Sequence, residues 1–288
     1  MIRLYTTADD IMAAADGVEP HLSIIDKLNS YTVIVVGIGG VGSWSAEALC
    51  RSGIGHLVLI DLDDICISNT NRQLHAMTST VGKMKIDEME KRLKDINPHC
   101  NITLIHDFVS VDNVDEILST YVDESNPRTV CLDAIDGSKA KSALLAACSD
   151  YQIPVVTLGG SAGRINPTSM ICDDLTKVFG DRLLSTCRRN LRKHYGFEEG
   201  QSFHESQKEK KKKGGGKKIK KWNIKAVFST EPPKTVPKGM DGSSLRRCDS
   251  ALGTACFVTG VAGLIAAGIV VNDIVSDSLK PPTKRRMV

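Results

Sequence analysis

Residues 31–61 read YTVIVVGIGGVGSWSAEALCRSGIGHLVLID, and the order of residue types in that stretch decides the fold. The run 31–37 is β-branched and apolar without alternation, as expected of a parallel strand covered by helices on both faces. Residues 41–52 carry Trp44, Ala48 and Leu49 at helical spacing, and 56–60 is a second apolar strand ending at Asp61. Strand, helix and strand within about thirty residues make one βαβ unit. Gly37, Gly39, Gly40 and Gly42 fall where the first strand turns into the helix. Missing side chains let main-chain N–H groups approach an anion, and the helix N-terminus adds a favourable dipole. Asp61 stands where such units bind ribose hydroxyls. The pattern predicts a bound nucleotide, and a nicotinamide or flavin nucleotide satisfies it as well as ATP does.

The same alternation continues outward. Strands are predicted at 101–106, 129–134 and 153–158, between helices at 83–96, 114–121 and 139–150. This is an α/β chain with a doubly wound, mostly parallel, Rossmann-like sheet. A helical lead-in is expected over 1–30, a nucleotide-binding core over 31–170, and a C-terminal extension of the same fold over 171–288. The extension is expected to hold a basic helix at 181–194, a flexible Lys-, Gly- and Pro-rich loop at 198–242, and an apolar helix at 251–275. Residues 251–271 contain no charge and reach the length of a membrane span. Their glycines and threonines suit close packing in a core or a dimer interface, which is the preferred reading, with membrane contact as its rival.

Composition sets limits. Of 288 residues 41% are apolar and 25% charged, which excludes a disordered or fibrous chain. The nine cysteines are scattered, odd in number and free of any C-x-x-C pair. That argues against a tetrathiolate zinc site and against a disulfide framework, and for a reducing, cytoplasmic compartment. The N-terminus lacks the basic-then-apolar pattern of a secretory signal. Net charge is +3, yet 207–225 holds ten lysines against Glu209, leaving −6 elsewhere. A basic, flexible segment carrying Trp222 fits contact with nucleic-acid phosphates and one base stack, and a solvated insertion is its plain alternative.

Three clusters behind the glycine turn narrow the chemistry. Ser68-Asn69-Thr70-Asn71-Arg72-Gln73 is dense in hydrogen-bonding groups, and Arg72 suits bidentate capture of phosphate oxygens, with Asn69 and Gln73 orienting them. Lys85 falls in the first turn of a helix, where the dipole disfavours a cation, so a bound polyphosphate explains it better than helix stability does. Lys83 competes for that role. Asp136, in LDAIDG at a strand's C-terminal end, could hold Mg²⁺ bridging phosphates. Asp133 is expected to cap the helix that follows.

GIGGVG, Asp61, SNTNRQ, VGKMK and DAID together resemble the ThiF and ubiquitin-activating-enzyme superfamily, whose members use ATP to adenylate a carboxylate. SNTNRQLHA, INPHC, LDAID, LGGSAGRINPT, FSTE and CDSALGTA resemble more closely the tRNA threonylcarbamoyladenosine dehydratases, over about 3–275 apart from the Lys-rich segment. The resemblance implies that Gly39 and Gly40 run along the ATP phosphates and that Asp61 holds the ribose. It implies that Asn69, Arg72 and Gln73 contact phosphates, that Lys85 stabilises the pentavalent phosphorus, and that Asp136 organises Mg²⁺. It further implies a homodimer and a tRNA substrate bearing threonylcarbamoyladenosine, whose threonyl carboxylate is adenylated and then closed into a ring. A monovalent cation and a sulfur-relay or carrier-protein partner are open additions.

The chain also departs from the superfamily pattern. Zinc-binding C-x-x-C pairs are absent. Cys248 is read as a packed residue before a thiol relay, and Arg3 is the one arginine ahead of Leu4-Tyr5 available to reach a partner subunit's site. The alternative function is activation of the C-terminus of a ubiquitin-like or sulfur-carrier protein. A nucleotide-binding scaffold without catalysis is a more distant one.

Overall fold

The computed structural model describes residues 24–122, 127–198, 220–234 and 253–286. Arg3, Cys248, most of the lead-in and most of the Lys-rich segment lie outside them.

Seven strands form one sheet: β1 (Thr32–Val36), β2 (His56–Ile60), β3 (Asn101–Ile105), β4 (Thr129–Asp133), β5 (Val155–Leu158), β6 (Met170–Asp174) and β7 (Lys225–Ser229). Their spatial order is β3-β2-β1-β4-β5-β7-β6. All neighbours pair in parallel except β6, which runs antiparallel to β7 at the edge. The helices are α1 (Ile24–Asn29), α2 (Gly42–Arg51), α3 (Lys85–Ile96), α4 (Val114–Ser119), α5 (Ser138–Asp150), α6 (Arg182–His194) and α7 (Cys256–Val275).

The side-chain period of two along each strand sorts the core into two layers. Val33, Val35, Leu57, Leu59, Val130 and Leu132 face α2, α3 and α7, while Ile34, Val36, Val58, Ile60 and Cys131 face α4, α5 and α6. Both faces are covered, which is why these strands read as continuous apolar runs. The chain leaves β1 for β2 and β3 on one side and returns to place β4 on the other. A crevice therefore opens at the C-terminal ends of β1 and β4, where open α/β sheets bind ligands.

Two expectations for the C-terminal part are corrected. The stretch predicted as a loop to residue 242 contains β7, inserted between β5 and β6. Trp222 is 2% exposed, packs on Phe197 and lies under the Arg192 guanidinium, so it is a core residue and offers no ring for a base to stack on. Local composition hid both, because flanking lysines masked a short apolar strand that gains its stability from two neighbours.

Helix α7 is long and apolar enough to cross a membrane, but most of it is buried in the protein. It packs chiefly on α2. A methyl group at Gly263 would stand 2.5 Å from the Val41 carbonyl oxygen, so only glycine admits this approach. Ser45 Oγ donates to Gly263 O at 3.0 Å, tying the two helices together. Asp273, near the end of α7, pairs with Lys225 of β7. The core reading of this helix is the one the packing supports.

Candidate active site

The sheet register brings the predicted residues to one edge. Val36 pairs with Ile60 and with Asp133, so Gly37, Asp61 and Ala134 leave the sheet side by side. Gly37 N–H donates to Ile60 O at 2.9 Å, and Ala134 N–H to Val36 O at 2.9 Å. The turn from Gly37 into α2 is tight, and a Cβ on Gly42 would fall 1.8 Å from Gly37 O. That overlap has no rotamer solution, so the fourth glycine of the motif is required by backbone geometry before any ligand is considered.

Asp61 is 7% exposed and accepts two main-chain bonds, from Ile38 N–H at 2.7 Å and from Asp63 N–H at 2.9 Å. Burial pushes its carboxyl above the ordinary value, against the opposing pull of Lys85 and of those N–H donors. Asp61 thus fixes the second residue of the glycine turn as well as facing the crevice.

Lys85 reaches this point because the chain after β2 pairs with the chain before α3. Lys85 N–H donates to Asp63 O, Ile65 N–H to Lys83 O and Gly82 N–H to Ile65 O. Lys85 falls in the first turn of α3, as predicted, although the helix starts at Lys85 and not at residue 83; it is buried, with Nζ 2.6 Å from Asp63 and 4.0 Å from Asp61. Lys83, its competitor, is about half exposed and pairs with Glu88 at 3.5 Å. Of the two lysines, Lys85 is the one held beside Asp61.

The Asn69–Gln73 segment begins as a 3-10 turn over Ile67–Asn69. Asn69 Oδ1 accepts from Cys66 N–H at 3.1 Å, so Asn69 is a buried turn-former as well as a polar candidate. Trp44 Nε1 donates to Arg72 O at 3.0 Å and Ser43 Oγ accepts from Leu74 N–H at 3.3 Å, which seats the segment on α2. The Arg72 stem lies over Gly40, its Cγ 3.2 Å from where a Cβ would be. Arg72 Nη1 bonds Ser68 O at 2.7 Å and Asn71 Oδ1 at 2.9 Å. Gln73 sits over Gly39 and is 7% exposed, and its Oε1 is a buried acceptor without a partner.

Asp136 is exposed two residues beyond Ala134, whose carbonyl lies against Gly37. Asp133 does not cap α5. It is fully buried and accepts from Lys141 Nζ at 2.7 Å, Thr157 Oγ1 at 2.6 Å and Ile135 N–H at 3.1 Å. Parallel pairing aims its side chain into the layer beneath α5, where a lysine one turn into that helix meets it.

Sequence reasoning missed Lys141, Asp63 and His75. His75 is 1% exposed, and its Nε2 bonds Ile38 O at 2.8 Å, so the two peptide groups flanking the Ile38 Cα are held, one at its N–H by Asp61 and the other at its C=O by His75. Burial holds the His75 imidazole down to about 4, so it is neutral and Nε2 carries the proton. Asp63 was legible as the second acid in Asp61-Leu62-Asp63, two residues apart and so on one side of an extended chain. No local pattern announces His75 or Lys141, because their partners lie 37 and 8 residues away. Among the described residues there is no cluster of three or more His, Cys, Asp or Glu able to hold a metal by itself.

Comparison with known proteins places this arrangement. The ThiF family profile matches residues 15–277. The tRNA threonylcarbamoyladenosine dehydratase of Haemophilus influenzae is 40% identical over 251 residues, which cover 86% of this chain and 87% of that protein. The crystal structure of the Escherichia coli tRNA N6-threonylcarbamoyladenosine dehydratase in complex with ATP superposes with a TM-score of 0.72 at 35% identity, covering 93% of this chain and 94% of that one. Ubiquitin-like modifier-activating enzyme 5 of Drosophila willistoni is 35% identical, but over only 49% of this chain and 36% of its own length. A two-sided sheet with this glycine turn, matched along nearly the whole chain, leaves one conclusion: the protein belongs to the ThiF family, beside the tRNA threonylcarbamoyladenosine dehydratases.

Proposed function

We propose that this protein is an ATP-dependent dehydratase that cyclises threonylcarbamoyladenosine in tRNA through a carboxyl-adenylate. The observation that carries the reading is the convergence of Asp61, Lys85, Arg72 and Gln73 on one glycine turn, in a chain matching the ATP-bound Escherichia coli dehydratase over 93% of its length.

ATP fits the residues present. Gly39 and Gly40 carry no side chains to obstruct phosphates, the Gln73 amide Nε2 over Gly39 is a donor, the Arg72 stem lies against Gly40, and Lys85 stands beside Asp61. Asp61 receives the ribose, Asn69, Arg72 and Gln73 hold phosphates, and Gly39 and Gly40 let the phosphate chain lie close to the backbone. Mg²⁺ binds through one or two carboxylates plus substrate phosphates, which the single exposed carboxylate of Asp136 suits. Bound there, the ion would neutralise charge on the leaving pyrophosphate.

The threonyl carboxylate attacks the α-phosphorus and pyrophosphate leaves. A heteroatom of the carbamoyl group then attacks the activated carbonyl and AMP leaves, carrying the carboxylate oxygen. That oxygen, the proton lost from the attacking heteroatom and the proton the carboxyl gave up on ionising together account for the missing water. Lys85, buried against Asp63, is preorganised to stabilise charge growing on the α-phosphate, an effect worth roughly 10²–10³ in rate per donor. The substrate supplies its own nucleophile, so proximity replaces an enzyme cysteine. Absence of C-x-x-C pairs and the partial overlap with carrier-activating relatives weigh against the protein-activating alternative.

A homodimer is part of the proposal. Phe257 and Leu264 of α7, seven residues apart and so on one face of the helix, are half exposed and supply an apolar face for a second copy.

Mass spectrometry of tRNA nucleosides after incubation with protein and ATP tests the function. The expected product is threonylcarbamoyladenosine lighter by one water. Arg72→Ala and Asp136→Ala should each abolish ATP–pyrophosphate exchange while circular dichroism is unchanged, and full exchange in either variant would refute the assignment of these residues.

A further inference from the structure

Helix α6 carries five Arg or Lys residues and no acid. Two of the five are used inside the protein. Arg188 Nη1 donates to the carbonyls of Leu175, Thr176 and Val178, and Arg192 lies over the Trp222 ring. The other three, Arg182, Arg189 and Lys193, are exposed and pair with no carboxylate among the described residues. At about 100° per residue they fall within about 40° of one another around the helix, in a row about 16 Å long. Leu184, Cys187 and Leu191 form the opposite, buried face.

Helix stability does not explain this row. Arg182 is the first residue of the helix, where a cation opposes the dipole. The position relative to the crevice is informative. Asp181 caps α6 by accepting from Leu184 N–H, and its other oxygen accepts from Gly160 N–H just past β5. The helix therefore starts at the sheet edge that carries Gly37, Asp61 and Asp136. It runs alongside α5, with Cys187 Sγ on Ser138 O and Asn190 on Ser142. Arg182, five residues before Cys187, thus projects about 7 Å beyond the start of α5 on the crevice side. Lys139, exposed in the first turn of α5, lies close to the same end.

We propose that the Arg182–Arg189–Lys193 face of α6 is the track along which the phosphodiester backbone of the RNA substrate lies, leading its modified nucleotide to the crevice. This rests on the function proposed above and adds where the macromolecule binds. Three cations in a row that pair with no carboxylate among the described residues, with arginine able to fork across phosphate oxygens, match a regularly charged polyanion. An acidic protein partner or an anionic membrane would be the other users of such a face.

The test compares the intact protein with Arg182→Gln/Arg189→Gln/Lys193→Gln in tRNA binding between 50 and 200 mM salt. Three lost phosphate contacts should flatten the log–log salt slope by about 2–3, so the variant loses about 16- to 64-fold less affinity over that range. ATP binding should be unchanged. A control triple, Lys27→Gln/Arg51→Gln/Lys91→Gln, removes the same charge from the other side of the sheet and should leave the slope nearly intact. If the intact protein binds tRNA steeply and the α6 variant matches it, or if both triples flatten the slope equally, the track is refuted while the function stands. If the intact protein binds no tRNA at any salt, the function itself fails. Loss of binding to phosphatidylserine vesicles with tRNA binding preserved assigns the face to a membrane and overturns the proposal.

Discussion

Replacing Lys141 with Met should destabilise the protein by about 3 kcal/mol, although Lys141 lies outside the crevice. Lys141 and Asp133 are both fully buried, with 2.7 Å between Nζ and Oδ2. Methionine keeps most of the aliphatic stem, so little packing is lost, but Asp133 then keeps its charge in the interior without a counter-ion. Breaking a buried pair from one side typically costs 3–5 kcal/mol. Asp133 retains Thr157 Oγ1 at 2.6 Å and Ile135 N–H at 3.1 Å, which puts the expectation at the lower end. Asp133→Asn in the same chain removes the stranded charge and should recover about 2 kcal/mol, a coupling in the range for residues in one network. For a domain of this size about 3 kcal/mol lowers the melting temperature by roughly 6–12 °C. Urea denaturation followed by circular dichroism and by the fluorescence of Trp44 and Trp222 measures all three variants. A loss below about 1 kcal/mol in the single variant, or a double variant as unstable as the single, would refute the argument. The pair also anchors the turn leading to Asp136, so the single variant should show weaker ATP–pyrophosphate exchange even below its melting point.

His75 is neutral in the folded protein with its imidazole held to about 4 by burial, whereas in the unfolded chain it titrates near the usual ~6.5. The unfolded state therefore binds the extra proton first, and this group's contribution is complete above about pH 6.5 and is lost as pH falls toward 4, by roughly 2–3 kcal/mol. The stability gap between the parent and His75→Gln should shrink by that amount from pH 7 to pH 4.5 in urea titrations, and a gap independent of pH would contradict the buried neutral histidine. Phe257→Glu with Leu264→Glu should convert a homodimer to a monomer in light scattering while ATP binding survives, and an undisturbed dimer would move the interface off α7.

Much of this protein can be read along the chain. The βαβ unit at 31–61, the order of later strands and helices, the glycine turn, Asp61 and the positions of Arg72, Lys85 and Asp136 all follow from periodicity and from where strands end. These are local properties, because backbone geometry repeats over a few residues and a turn's demands fall on the residues in it. Tertiary structure decided what depends on partners far apart in sequence. It placed β7 inside the sheet, since a five-residue strand among lysines is stable only between two neighbours. It turned Trp222 inward and buried α7 against α2 through Gly263. It set Lys85, and not Lys83, beside Asp61 by a main-chain pairing between the segments around Asp63 and Gly82. It gave Asp133 to Lys141 instead of a helix cap and set His75 on Ile38. An ion pair or a buried hydrogen bond is a relation between two positions. A single chain read in order displays the positions, and only folding supplies the distance between them.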